Sequence, residues 1–296
     1  MLKKFKPYMM PFAMTLGAVL YQFFGALSFL TPYLIFVMLF LTYCNLKLSQ
    51  IRLSRLHSWL ILIQILGSIA VFLLLYPFNI TLAQGAMICV LAPTATAAPV
   101  ITGMLKGNVA SLTAYSLISN ITVAIVAPVI FSVVGNYQTL PFFESFVSIS
   151  QRVFLLLMMP FALALLIRRL KPSVTEKIGL YSGFSFYVWS FSLMIVTGRT
   201  VEFMMMQDRS DYIVEILIAV AALVLCISQF LIGRGIGKHY DDTVAGGQGL
   251  GQKNTILAIW MAQMYLNPIA SIGPGSYVLW QNMINSYQVW RKRKSL

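Results

Sequence analysis

The chain reads as an all-α membrane protein with ten transmembrane helices in a 5+5 inverted repeat, the fourth and ninth broken and crossing. Three observations predict this. The first is composition: 59% of the 296 residues are hydrophobic, only 10% are charged, and the mean hydropathy is +0.81. A soluble domain carries about 25% charged residues. The second is a one-sided distribution of basic residues between apolar runs. The third is a pair of polar or proline-rich interruptions inside two of those runs.

The spans fall at roughly 7–24, 28–46, 57–77, 81–105, 109–134, 149–168, 177–198, 211–236, 243–265 and 270–290. Most reach the ~20 apolar residues that a membrane-crossing helix needs. They are too long and continuous for barrel strands, which alternate. One set of loops collects Lys3, Lys4, Lys6, Lys47, Arg52, Arg55, Lys106, Arg168, Arg169, Lys171, Lys177, Arg234, Lys238 and Arg291 to Lys294, which is 17 of the 21 basic residues. The other set holds Arg152, Arg199 and Arg209, and Lys253 lies inside a span. By the positive-inside rule both termini are cytoplasmic and the number of spans is even. Ten spans divide into five and five, and an odd-numbered unit repeated once inserts with opposite orientation.

The net charge of +13 follows from this topology, since acidic residues number only 8. The cations are not gathered on one soluble face, so nucleic acid is not the expected partner. Cys44, Cys89 and Cys226 lie in apolar runs with no disulfide or metal spacing and read as small buried hydrophobes. No cofactor is implied. No carboxylate pair, Ser–His pair or metal cluster lies at a common depth, so an enzyme is not expected. His57 and His239 fall at loop edges and are expected to be solvated.

The interruptions point to function. The first is Ala92-Pro93-Thr94-Ala95-Thr96-Ala97-Ala98-Pro99, where Pro93 and Pro99 remove backbone donors. The second is Ala245-Gly246-Gly247-Gln248-Gly249-Leu250-Gly251-Gln252-Lys253-Asn254, where Gly247, Gly249 and Gly251 are expected to let the helix unwind. Lipid cannot satisfy open backbone or an ammonium group, so such breaks are buried in protein or line a wet cavity. Broken helices at corresponding places in two halves mark secondary transporters. Lys253 has three readings: a built-in cation on exposed carbonyls, a proton carrier, or a residue that snorkels to water.

Further residues carry a resemblance. The second span closes with Leu41-Thr42-Tyr43-Cys44-Asn45, and the fourth runs from Ala92-Pro93 to Lys106-Gly107-Asn108. The ninth contains Gln252-Lys253-Asn254-Thr255, and the tenth Trp280-Gln281-Asn282. With the ten-span order, these resemble the bile acid:sodium symporter family over essentially the whole chain. The resemblance implies a panel domain over 1–50 and 140–200, a core domain over 55–135 and 205–290, and a substrate cleft between them. It also implies that Thr96, Asn254, Gln281 and Asn282 face the substrate. Ion ligands would be Gln64 in the third span and Ser116 in the fifth, with Gln248 and Gln252 near the second break.

The chain departs from that family where sodium would bind. A Ser-Asn pair is replaced by Ala98-Pro99, a ninth-span Glu by Gly249, and a Gln by Lys253. A lysine ammonium 4 Å from a cation costs roughly 4 kcal/mol at an effective dielectric of about 20. Both sodium sites are therefore expected to be lost or badly weakened. The expectation is a transporter of a small or amphipathic organic anion, proton-coupled or sodium-independent through Lys253, in a bacterial cytoplasmic membrane. The alternatives are a sodium symporter with a rearranged ion site and a non-transporting sensor on the same fold.

Overall fold

The computed structural model describes residues 9–46, 52–135, 141–206 and 212–294. Lys3, Lys4, Lys6, Lys47, Arg209 and the connection over 136–140 lie outside them. Of the described residues 88% are helical and none forms a strand. Among the described residues five helices are long and apolar enough to cross a bilayer: Tyr21–Cys44, Arg55–Leu75, Val109–Val134, Phe142–Leu170 and Tyr212–Lys238. This is an all-α, membrane-embedded protein. Helices suit that solvent because each one satisfies its own backbone.

The chain divides into two compact units, one of residues 1–46 and 151–211 and the other of 47–150 and 212–296. The first unit holds α1 (Met9–Val19), α2 (Tyr21–Cys44), most of α7 (Phe142–Leu170), α8 (Pro172–Leu180) and α9 (Ser185–Met206). A 3-10 turn at Leu27–Leu30 falls at the boundary that the sequence suggests. A milder kink precedes it at Leu20, where φ is −101° and ψ is 40°. The bonds from the Leu20 N–H to Leu16 O and from the Phe24 N–H to Leu20 O, both 3.0 Å, still run through it. The reason for the kink is packing. Gly17 lies against the backbone of Met194, and Gly198 lies against Phe24 and Gly17, so α1 and the start of α2 share one face of α9 through small residues. Arg168 finishes α2 by donating to the carbonyls of Tyr43 and Cys44 at 3.3 and 3.0 Å. Arg199 pairs with Glu202 at 2.6 Å one turn along α9.

The second unit holds α3 (Arg55–Leu75), α4 (Ile80–Leu91), α5 (Ala98–Met104), α6 (Val109–Val134), α10 (Tyr212–Lys238), α11 (Thr243–Gly251), α12 (Thr255–Tyr265) and α13 (Ile272–Lys294). Asn79 and Asn108 cap α4 and α6 by accepting from the N–H groups of Leu82 and Ser111. His57 corrects the expectation of a solvated loop residue, being only 3% exposed. Its Nδ1 accepts from the Ser54 N–H at 3.2 Å, which leaves the proton on Nε2 facing Ser111 Oγ at 3.0 Å. The ring thus caps α3 and joins it to α6. A Ser–His contact exists, but its imidazole nitrogen is already protonated toward the hydroxyl and cannot act as its base.

Candidate functional site

The two interruptions meet. Helix α4 stops at Leu91 and α5 begins at Ala98, while α11 stops at Gly251 and α12 begins at Thr255. Between them Thr94 and Lys253 form an isolated antiparallel bridge. The Ala95 N–H donates to Gln252 O at 2.9 Å, and the Asn254 N–H donates to Pro93 O at 2.7 Å. The Thr94 hydroxyl adds a bond to Gly249 O at 2.8 Å. Each open segment supplies what the other lacks, which is how non-helical backbone survives inside an apolar protein.

The glycines do not unwind the second helix. Gly247, Gly249 and Gly251 all lie within α11, and among the described residues no glycine has positive φ. They are needed for close approach instead. A Cβ on Gly246 would strike the backbone of Gly233 and Gly237, and one on Gly247 the Arg234 side chain. Gly249 faces the Tyr115 ring and Gly251 the Phe230 ring just as tightly. The interruption is confined to Gln252, Lys253 and Asn254. Pro93 lies within the first break as expected, and Pro99 occupies the first turn of α5, where its missing N–H costs nothing.

Lys253 is 2% exposed. Its Nζ donates to Val90 O at 2.8 Å, in the last turn of α4. No carboxylate lies within ion-pair distance of that ammonium among the described residues. A helix C-terminus carries partial negative charge and unpaired carbonyls, so a cation suits this position. The snorkelling reading is excluded by the burial.

The other carbonyls at the end of α4 are also taken. Gln64 Nε2 donates to Leu91 O at 2.7 Å and to Ala92 O at 3.1 Å. Gln229 Nε2 reaches Cys89 O at 3.3 Å, and Pro93 O holds the Asn254 N–H. The end of α11 is treated alike: Tyr277 donates to Gly251 O at 2.9 Å, and Gln281 Nε2 to Lys253 O at 3.3 Å. Gln281 also accepts from the Lys253 N–H at 2.8 Å, so it braces the second break at both backbone groups.

The remaining expected residues divide by position. The Gln64 oxygen accepts from Tyr115 and Ser119, both at 2.9 Å, which occupies both of its lone pairs. Ser116 lies on the same helix, but the hydroxyls at the crossing belong to Tyr115 and Ser119; Ser119 also accepts from the Thr94 N–H at 3.3 Å. Gln248 donates to Asn285 at 3.0 Å and to Gln288 at 3.2 Å. Its oxygen and that of Gln252 are buried with no hydrogen-bond partner among the described residues. Asn254 spends its side-chain oxygen capping α12 at Leu257. Thr96 is half-buried in the first break. Asn282 is half-buried and donates back to Val278 O at 2.7 Å.

Tyr115, Ser119, Gln229 and Tyr277 join the site without having stood out in the sequence. A lone amide such as Gln229 in the apolar run of α10 is a signal for such a site. Tyr115 and Ser119 share a helix face by their i, i+4 spacing. No protein-family model matches the chain, and no curated protein sequence matches it.

Proposed function

We propose that the chain is a secondary transporter that moves a small or amphipathic organic anion by alternating access. In this reading it is built on the ten-span inverted repeat of the bile acid:sodium symporter family and sits in a bacterial cytoplasmic membrane with both termini inside. One observation carries the reading: a buried ammonium, with no carboxylate beside it among the described residues, stands where two broken helices are joined. A fixed positive charge at such a point favours an anionic partner.

The transport is sodium-independent. The carbonyls that a cation would draw on at the end of α4 are bonded to Lys253, Gln64, Gln229 and Asn254. Lys253 serves as the resident cation, and a proton is the remaining candidate for coupling. Thr96 and Asn282, half-buried and not bonded across the crossing, are the side chains left to meet substrate, whereas Gln281 and Asn254 hold the backbone.

Proteoliposomes given a panel of labelled organic anions, with and without sodium and with an imposed pH gradient, test this. Uptake without sodium that Lys253→Ala abolishes or uncouples from the pH gradient is the expected result. Uptake by that variant at the normal rate and with unchanged pH response rejects the mechanism. Strict sodium dependence selects a rearranged ion site, and binding without flux selects a sensor.

A further inference from the structure

A second site lies within the same unit, away from the crossing. A cavity of about 600 Å³ opens between α10, α11 and α13, with Leu105 from the end of α5 in its wall. Its floor is apolar, with Phe230, Ile227, Val244 and Ile284. Its rim is basic: Arg234 from the last turns of α10, and Arg291 and Lys292 from the last turn of α13. Among the described residues no carboxylate lines it. Neither Arg234 nor Arg291 pairs with an acid among the described residues.

The mouth opens along exposed apolar helix surface. Leu231 is 64% exposed and Tyr287 57%. The cations sit in the last turns of these helices, where the apolar run of α10 gives way to charge. Lys294, one turn beyond Arg291, lies 4.3 Å from the centre of the half-exposed Trp290 ring, an arrangement suited to the headgroup layer. An apolar trough closed by guanidinium and ammonium groups matches a molecule with an acyl chain and an anionic head. The volume holds one chain and its head, within the range of ligand pockets.

We propose that this cavity binds one anionic phospholipid, with its phosphate against Arg234 and Arg291 and an acyl chain over Phe230 and Ile284. The site has a route to the crossing. Gln288, in the cavity wall, accepts from Gln248, which lies one turn before the second break. An occupied cavity therefore bears on the half-helix α11.

Native mass spectrometry of the delipidated protein tests the assignment, with phosphatidylglycerol and phosphatidylcholine of identical acyl chains added in equal amounts. One phosphatidylglycerol is expected to be retained with a preference of roughly tenfold or more over phosphatidylcholine. Arg234→Gln with Arg291→Gln is expected to remove the preference, and Ile284→Trp, which fills the floor and leaves the charges, to lose both lipids. Unchanged thermal unfolding and monodispersity of each variant show that the fold is intact. Equal retention of the two lipids by the unaltered protein, or a preference that survives both variants, overturns the proposal. Displacement of phosphatidylglycerol by octanesulfonate below its micellar range also overturns it, in favour of a free amphipathic anion. The readout is lipid mass, so it stands or falls separately from transport.

Discussion

The first break spans six residues from Ala92 to Ala97 and contains Pro93; the second spans three, Gln252 to Asn254, and contains no proline. Pro93 withdraws a backbone donor there and Pro99 suits the first turn of α5, but proline alone does not set a break, since Pro128 and Pro160 lie inside the continuous helices α6 and α7. Nothing in Gln252-Lys253-Asn254 forbids helix locally. That segment is held open by what it gains: the Ala95 N–H on Gln252 O, Pro93 O for the Asn254 N–H, and Gln281 on both backbone groups of Lys253. The first interruption is favoured by a proline of its own and held by Gln64 and Ser119 as well. The second depends on the first and on α13. A glycine-rich stretch beside a break is thus not the break; in α11 the glycines admit neighbouring helices.

The largest expected effect comes from removing the charge that joins the two segments. Lys253→Met keeps the side-chain bulk but leaves Val90 O without its partner. Uptake is expected to fall roughly tenfold or more, the scale of a charge-assisted hydrogen bond at about 1.5–3 kcal/mol. Rates in proteoliposomes measure it, and full activity would show that the crossing needs no cation.

Next is Gln64→Leu, which strips the first break of two donated bonds and orphans the hydroxyls of Tyr115 and Ser119. Each buried group left unpaired costs about 1–3 kcal/mol, so thermal unfolding in detergent should drop by several degrees. An unchanged midpoint would mean that the carbonyls find water.

A smaller effect separates packing from unwinding. Gly246→Ala places a methyl against the backbone of Gly233 and should destabilise by about 1–3 kcal/mol. Gly235→Ala meets nothing within 4 Å and should be neutral or stabilising. Equal behaviour of the two variants in thermal unfolding would reinstate glycine as the agent of the break. The smallest contrast is on α6. Ser119→Ala should cost about 1 kcal/mol and Ser116→Ala close to nothing, because only Ser119 bonds the first break.

The existence of the crossing was legible, because proline, lysine and amides inside apolar runs are stable in a bilayer only where other protein or water meets them. Its partners were less so. Ser116 and Ser119 lie three apart on nearly the same face of α6, so reading Ser116 as the hydroxyl is a miss of about one turn in depth, and a run of uniform hydrophobicity gives no landmark to correct it. His57 looked solvated because it adjoins Arg52 and Arg55, yet an N-capping position pulled it into protein.

Taken alone, the residue order determined that this protein is helical, lives in a bilayer and is disposed to break near Pro93. Those follow from hydropathy, charge placement and the chemistry of one ring, all of which are local. Tertiary structure decided where α11 ends, that Lys253 is sealed on Val90 O, and that Gln64 and Gln281 spend themselves on carbonyls. Those outcomes belong to pairs of groups far apart in the chain, and a hydrogen bond is fixed only when both of its ends have been brought together.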